Sequence, residues 1–134
     1  MGTAHDFGDG KGPVPAHQHP HGGGWVADTA SVADTAYVGP QATVRDDATV
    51  SGYATVRDSA KVCDRATVRD RAVVCDRATV RDRAVVCGYA VVRDSATVRD
   101  FAVASDSAVV CGDSVMSGRS SAYYGAVVHN MRLK

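Results

Sequence analysis

Three histidines stand at alternate positions near the start of the chain, His17, His19 and His21, in the order H-x-H-x-H. Alternate residues of an extended strand project to one side, so this spacing lets three imidazoles face one metal ion. Pro20 interrupts the run, and the competing reading is a mobile tail or a cap over the first coil of a repeat. A second set is cationic. Arg65 and Arg83 lie eighteen residues apart, with Asp47 and Phe101 at the same spacing on either side, and Arg71 stands at that spacing between Tyr53 and Tyr89. Guanidinium forks suit phosphate and carboxylate, and a guanidinium against an aromatic ring is a cation–π contact that also offers a stacking surface to a nucleobase. The plainer alternatives are an Arg–Asp salt-bridge ladder and a self-satisfied Tyr–Arg–Tyr stack. Four cysteines, Cys63, Cys75, Cys87 and Cys111, complete the reactive groups.

The number eighteen has meaning because the chain is a repeat. From Gly24 it divides without a slip into eighteen hexapeptides ending at Met131, among them ATVRDR, AVVCDR and AVVCGY. The first position is small, usually Ala, and the third is usually Val, so both point inward by strand alternation. The second position (Thr, Val, Ser) points out. The fifth is mostly Asp or Gly, residues that tolerate turn geometry. A three- or four-residue strand cannot bury its face alone, and stacking similar turns solves that problem. Composition agrees. All fifteen acids are Asp, twelve of the fifteen bases are Arg, leucine occurs once at Leu133, and isoleucine is absent. Such a chain is poor in helix formers and suits strands around a thin core. Its length gives one domain, and its net charge of zero favours no partner.

The small–x–aliphatic–x–turn–x unit, clearest in AYVGPQ at 36–41, resembles the hexapeptide-repeat left-handed parallel β-helix family. That resemblance implies an all-β triangular solenoid with three hexapeptides per coil and about six coils. It also supplies the left hand, since the general crossover rule favours the right. A two-sided, twelve-residue coil is the rival, because Arg and Cys partly alternate at the fourth position. Residues 1–23 then form a Gly/Pro/His-rich leader or cap, 24–131 the β-helix, and 132–134 a tail.

Eighteen-residue coils turn the sequence into a surface map. One face carries Tyr37, Thr55, Val73, Val91, Val109 and Val127 at its outward positions, and the other two are more polar. An apolar stripe of this kind marks an interface, and because members of the family are commonly homotrimers, Val73, Val91, Val109 and Val127 are expected at a subunit contact. The cysteines sit at fourth positions. Cys75 and Cys111 share a face but lie two coils apart, about 9.6 Å from the strand spacing, beyond disulfide reach. Spacing arginines apart is their expected role.

Phe7 and Trp25 are expected to anchor the leader on the first coil, and Tyr123, Tyr124 and Met131 to close the far end. The glycines of Gly8–Gly12 resemble a phosphate loop only weakly, with no strand read before them. The leader segments HDFGDGKG, VPAHQH and GGGWVADTA, joined to the repeats, resemble small uncharacterised hexapeptide-repeat proteins of phages and prophages. Cysteines that cannot pair fit a reducing cytoplasm, which the resemblance would make the host's if the chain is phage-encoded, with a virion as the alternative. No secretory signal or apolar span is visible, and no duplex nucleic acid is expected as a partner.

The family includes acyltransferases and zinc-dependent carbonic anhydrases. The acyltransferases carry a catalytic histidine beside loops extruded between coils, whereas the repeats here are unbroken and hold one histidine, His129. The sequence therefore points to a non-catalytic trimeric binding module without a cofactor. Its expected ligand is an anionic, nucleotide-like molecule held in arginine-lined clefts between subunits, at Arg65, Arg83, Arg71, Tyr53 and Tyr89. A phage spike or decoration protein with a histidine-bound metal is the second reading, an acyltransferase-like enzyme the third, and ice binding by interrupted threonine columns the last.

Overall fold

The structure is a computed structural model that describes residues 3–134, and it is built of strands with no helix. Each hexapeptide from Gly24 contributes one strand of two or three residues. Partners lie eighteen residues apart and in parallel, with Thr43 opposite Lys61, Thr67 opposite Val85 and Val73 opposite Val91. The coil is thus three-sided, which excludes the twelve-residue alternative, and about six coils stack into a parallel β-solenoid. Face A runs through Trp25, Thr43, Lys61, Thr79, Thr97 and Val115; face B through Ser31, Thr49, Thr67, Val85, Val103 and Ser121; face C through Tyr37, Thr55, Val73, Val91, Val109 and Val127.

The interior is a column of alanine and valine. First-position Ala and third-position Val are 0% exposed from Ala36 to Val98, and Met116 is the largest fully buried side chain. Each buried valine contributes about 1.5–2 kcal/mol, so a core this narrow depends on repetition.

The corners explain the aspartates. From the fourth repeat on, the fifth residue adopts left-handed backbone geometry, with φ of 60° at Asp46, 58° at Asp64, 58° at Asp82 and 60° at Asp100. Asp and Asn tolerate this region better than other non-glycine residues. The corner's other amides find carbonyls: Ala66 N–H donates to Cys63 O at 3.2 Å, and Arg65 N–H to Asp82 O at 2.8 Å in the next coil. At eight corners the fifth residue's own N–H is accepted by the aspartate one coil earlier. Asp46, Asp64 and Asp82 Oδ2 accept from Asp64, Asp82 and Asp100 N–H at 3.2, 3.2 and 3.1 Å, and Asp100 Oδ2 accepts from Gly118 N–H at 2.8 Å. A second column runs Asp58, Asp76, Asp94, Gly112 at 3.2, 3.1 and 2.9 Å, and on the third corner Gly88 donates to Asp70 at 3.0 Å. Charge-assisted bonds of this type are the stronger ones.

The leader is an ordered hairpin on the first coil: Thr3–Asp6 pairs antiparallel with Pro13–Gln18, which pairs antiparallel with Trp25–Ala27 and so extends face A. A strand does precede the glycine loop, which is the hairpin turn, with Gly8, Gly10 and Gly12 at positive φ. Phe7 and Trp25 meet through His5, which stacks on Trp25 at 4.4 Å and meets Phe7 edge-on at 4.7 Å. The chain then passes so close to face C that a Cβ on Gly22 would lie 2.2 Å from Val38 O. At the other end Tyr123, Tyr124 and Met131 are exposed and do not close the solenoid. Arg132–Leu133 instead adds a strand to face A, with Leu133 beside Met116, seventeen residues on rather than eighteen, and Leu133 packs on the core.

Substitutions at Asp82 test the corner bond. Asp82→Ala removes the acceptor and places an unfavourable residue at positive φ, and is expected to lower unfolding free energy in urea by about 2–3 kcal/mol. Asp82→Gly is expected to lose about 1–2 kcal/mol, and Asp82→Asn less than either.

Candidate anion-binding corner and histidine cap

Each arginine and tyrosine named from the sequence as a ligand contact lies on a corner, because sixth positions project there. Arg65, Arg83, Phe101 and Arg119 form one column between faces A and B, above the Asp64–Asp82–Asp100 column. Together Asp64, Arg65, Asp82, Arg83, Asp100, Phe101 and Gly118 line an open groove of about 540 Å³. The Arg83 guanidinium carbon lies 5.7 Å from the Phe101 ring centre and that of Arg119 5.6 Å, so the ring carries a cation on either side. Arg119 was missed by sequence reasoning, although its place eighteen residues after Phe101 was countable; it falls in the irregular repeat SVMSGR.

The arginines do not form a ladder with the aspartates. Along the coils the arginine ion pairs join sequence neighbours in one corner, as in Arg57–Asp58 at 2.9 Å, Arg69–Asp70 at 3.1 Å and Arg93–Asp94 at 3.3 Å, and only the leader adds longer-range pairs among the described residues. Arg45 bonds Asp46 at 2.9 Å and reaches Asp9 in the hairpin turn at 3.2 Å. The Lys11 backbone N–H, with help from Arg45, holds the Asp9 carboxyl below its usual value. Among the described residues no ion pair engages Arg65, Arg71, Arg83 or Arg119. The groove thus has outer guanidiniums and one ring, over carboxylates that each commit one oxygen to the backbone.

Tyr53, Arg71 and Tyr89 stand on the corner between faces B and C, beside a groove of about 420 Å³. Arg71 lies 5.3 Å from the Tyr53 ring centre, and its cation–π contact is one-sided rather than the expected sandwich. The two corners also part company. Face C connects to the B–C and C–A corners, so the corner of Arg65 and Arg83 does not border it. A subunit contact through Val73, Val91, Val109 and Val127 would therefore leave Arg65 and Arg83 outside any cleft at that contact. Of these four valines Val127 is the most open, at 62% exposure.

The histidines do not converge within the chain. His17 Nδ1 lies 2.8 Å from Asp28 Oδ1, while buried His19 donates through Nε2 to Ala36 O at 2.9 Å and His21 through Nδ1 to the same oxygen at 3.1 Å. Ala36 precedes the first strand of face C, where no earlier coil offers an amide. Two imidazoles satisfy that carbonyl, and backbone groups left bare at the end of a sheet need such partners.

Sequence reasoning also missed two groupings, Asp46–Cys63–Asp64 and Asp58–Cys75–Asp76, whose donor atoms lie within 4.8 Å of one another. Their carboxylates already belong to the amide columns. Burial pushes the Cys63 thiol up to about 11 and raises those of Cys75 and Cys87, so these sulfurs stay protonated and are weak ligands. All four cysteines are free and buried.

Fold and site together define a parallel β-solenoid with an arginine–phenylalanine corner and a histidine-capped first coil. Protein-family models, curated proteins and solved structures were compared with the chain, and none matches it.

The cap makes its own prediction. His19→Ala is expected to lower unfolding free energy by about 1–2 kcal/mol in urea melts. His17→Ala, whose partner Asp28 is exposed, is expected to cost less than about 0.5 kcal/mol.

Proposed function

We propose that the chain is a non-catalytic binding module that holds an anionic, nucleotide-like ligand on the corner formed by Arg65, Arg83 and Phe101. The observation that carries this reading is the set of guanidiniums left without an ion-pair partner among the described residues while the adjacent aspartates bond the backbone. Arginine forks are suited to a phosphate group. The second oxygens of Asp64, Asp82 and Asp100 can accept from exocyclic amines, and the exposed Phe101 edge offers an apolar contact. A bare anion would use the arginines alone and meet the acids below, so the groove favours a base-bearing phosphate. Sequestration of such a signal by a phage-encoded chain is the finer form of the reading, and it rests on the leader resemblance.

Three copies packed through face C complete the proposal. Its support is the column Val73, Val91, Val109 and Val127, against Thr and Lys on face A. Each copy then carries its own outward corner, with one ligand per chain.

Calorimetry with cyclic oligonucleotides, mononucleotides and inorganic phosphate tests the corner. Expected is binding of a base-bearing phosphate at one per chain, weakened at least about tenfold by Arg65→Ala with Arg83→Ala; no binding by any nucleotide would sink the proposal. Light scattering tests assembly: a mass near three times the 14.0 kDa chain is expected, falling to one chain in Val91→Lys with Val109→Lys, whereas a monomeric wild type would refute the trimer.

A further inference from the structure

The last coil brings together a thiol, an imidazole and an amide that the binding corner does not use. Cys111 and His129 are register partners in face C, and Cys111 Sγ lies 3.4 Å from His129 Nδ1. Every other cysteine has an Arg or Ser at its fourth-position neighbours: Arg45 and Arg81 for Cys63, Arg57 and Arg93 for Cys75, Arg69 and Ser105 for Cys87. Asn130 orients the ring. Its Oδ1 accepts the Asp113 N–H at 2.9 Å, which turns Nδ2 towards His129 Nε2 at 3.1 Å. Nε2 therefore accepts, and the proton of the neutral ring sits on Nδ1, directed at the sulfur.

We propose that Cys111 is the reactive thiol of this chain, a site of covalent modification by small uncharged electrophiles, with His129 as its positioning residue. An N–H directed at sulfur stabilises the negative charge that develops there when the thiol reacts. Cys63, Cys75 and Cys87 have no such donor, and burial raises all three. Cys111 is 3% exposed, as Cys63 and Cys75 are, but the side chain stacked on it is the exposed His129 of the terminal strand of face C rather than a residue of a further coil. With iodoacetamide as the probe, the thiol proton passes to buffer, Sγ attacks the methylene carbon, an S–C bond forms, the C–I bond breaks and iodide leaves.

The four cysteines fall on four different tryptic peptides, so mass spectrometry after timed alkylation of the intact protein reads each rate separately. At pH 7.5 Cys111 is expected to react at least about tenfold faster than the other three, about the worth of one charge-assisted hydrogen bond to the attacking sulfur. In His129→Phe its rate should fall to their level. Unchanged slow rates at Cys63, Cys75 and Cys87 in that variant report an intact solenoid. In His129→Gln, which keeps an N–H donor, part of the rate should return. Cys111 reacting no faster than Cys63, or equally fast with and without His129, would overturn the proposal.

Discussion

The hydrogen bond from the amide of one corner to the aspartate of the coil before it is the constraint on which the rest of the structure depends. A three-sided coil must turn sharply every six residues. The left-handed residue that makes the turn leaves an amide that its neighbours' carbonyls do not take. A buried or half-buried amide without a partner costs about 1–3 kcal/mol, and a solenoid multiplies that cost by its corners. Asp meets both demands, since it tolerates positive φ and its short side chain reaches one strand spacing upward. Glutamate, with another methylene and less tolerance of that geometry, has no comparable place, and the chain contains none.

The charges sort by position. Asp64, Asp82 and Asp100 bond the backbone, and the sixth-position arginines above them form no ion pair with them among the described residues. Some, such as Arg57 and Arg93, pair with the aspartate beside them. Others, Arg65, Arg83 and Arg119, project past the acids, and two of them lie against Phe101. A chain with zero net charge thereby presents cations at its outer rim and acids at the groove floor. This polarity is the feature on which the proposed ligand site at the A–B corner rests.

Much of the fold was legible because a repeat converts counting into geometry. Ala at the first position and Val at the third fixed the interior, and an eighteen-residue step placed Val73 beside Val91 and Arg65 beneath Arg83. What was not legible came from backbone groups, which composition does not display. The aspartates read as partners of arginine because the free corner amide has no letter of its own. His19 and His21 read as metal ligands because the bare carbonyl of Ala36 exists only at the first coil. The leader's strands were masked by glycine and proline, and the terminal strand Arg132–Leu133 by a one-residue shortening of the frame.

Amide hydrogen exchange tests the corner bond most directly, because the chain contains its own control. Gly88, Gly112 and Gly118 occupy fifth positions above an aspartate that accepts their N–H, whereas Gly52 occupies a fifth position at which no such bond forms among the described residues. Exchange at Gly88, Gly112 and Gly118 is expected to be at least about tenfold slower than at Gly52, in line with one charge-assisted hydrogen bond. Exchange equally fast at all four glycines would contradict the claim that aspartate columns hold the coils together.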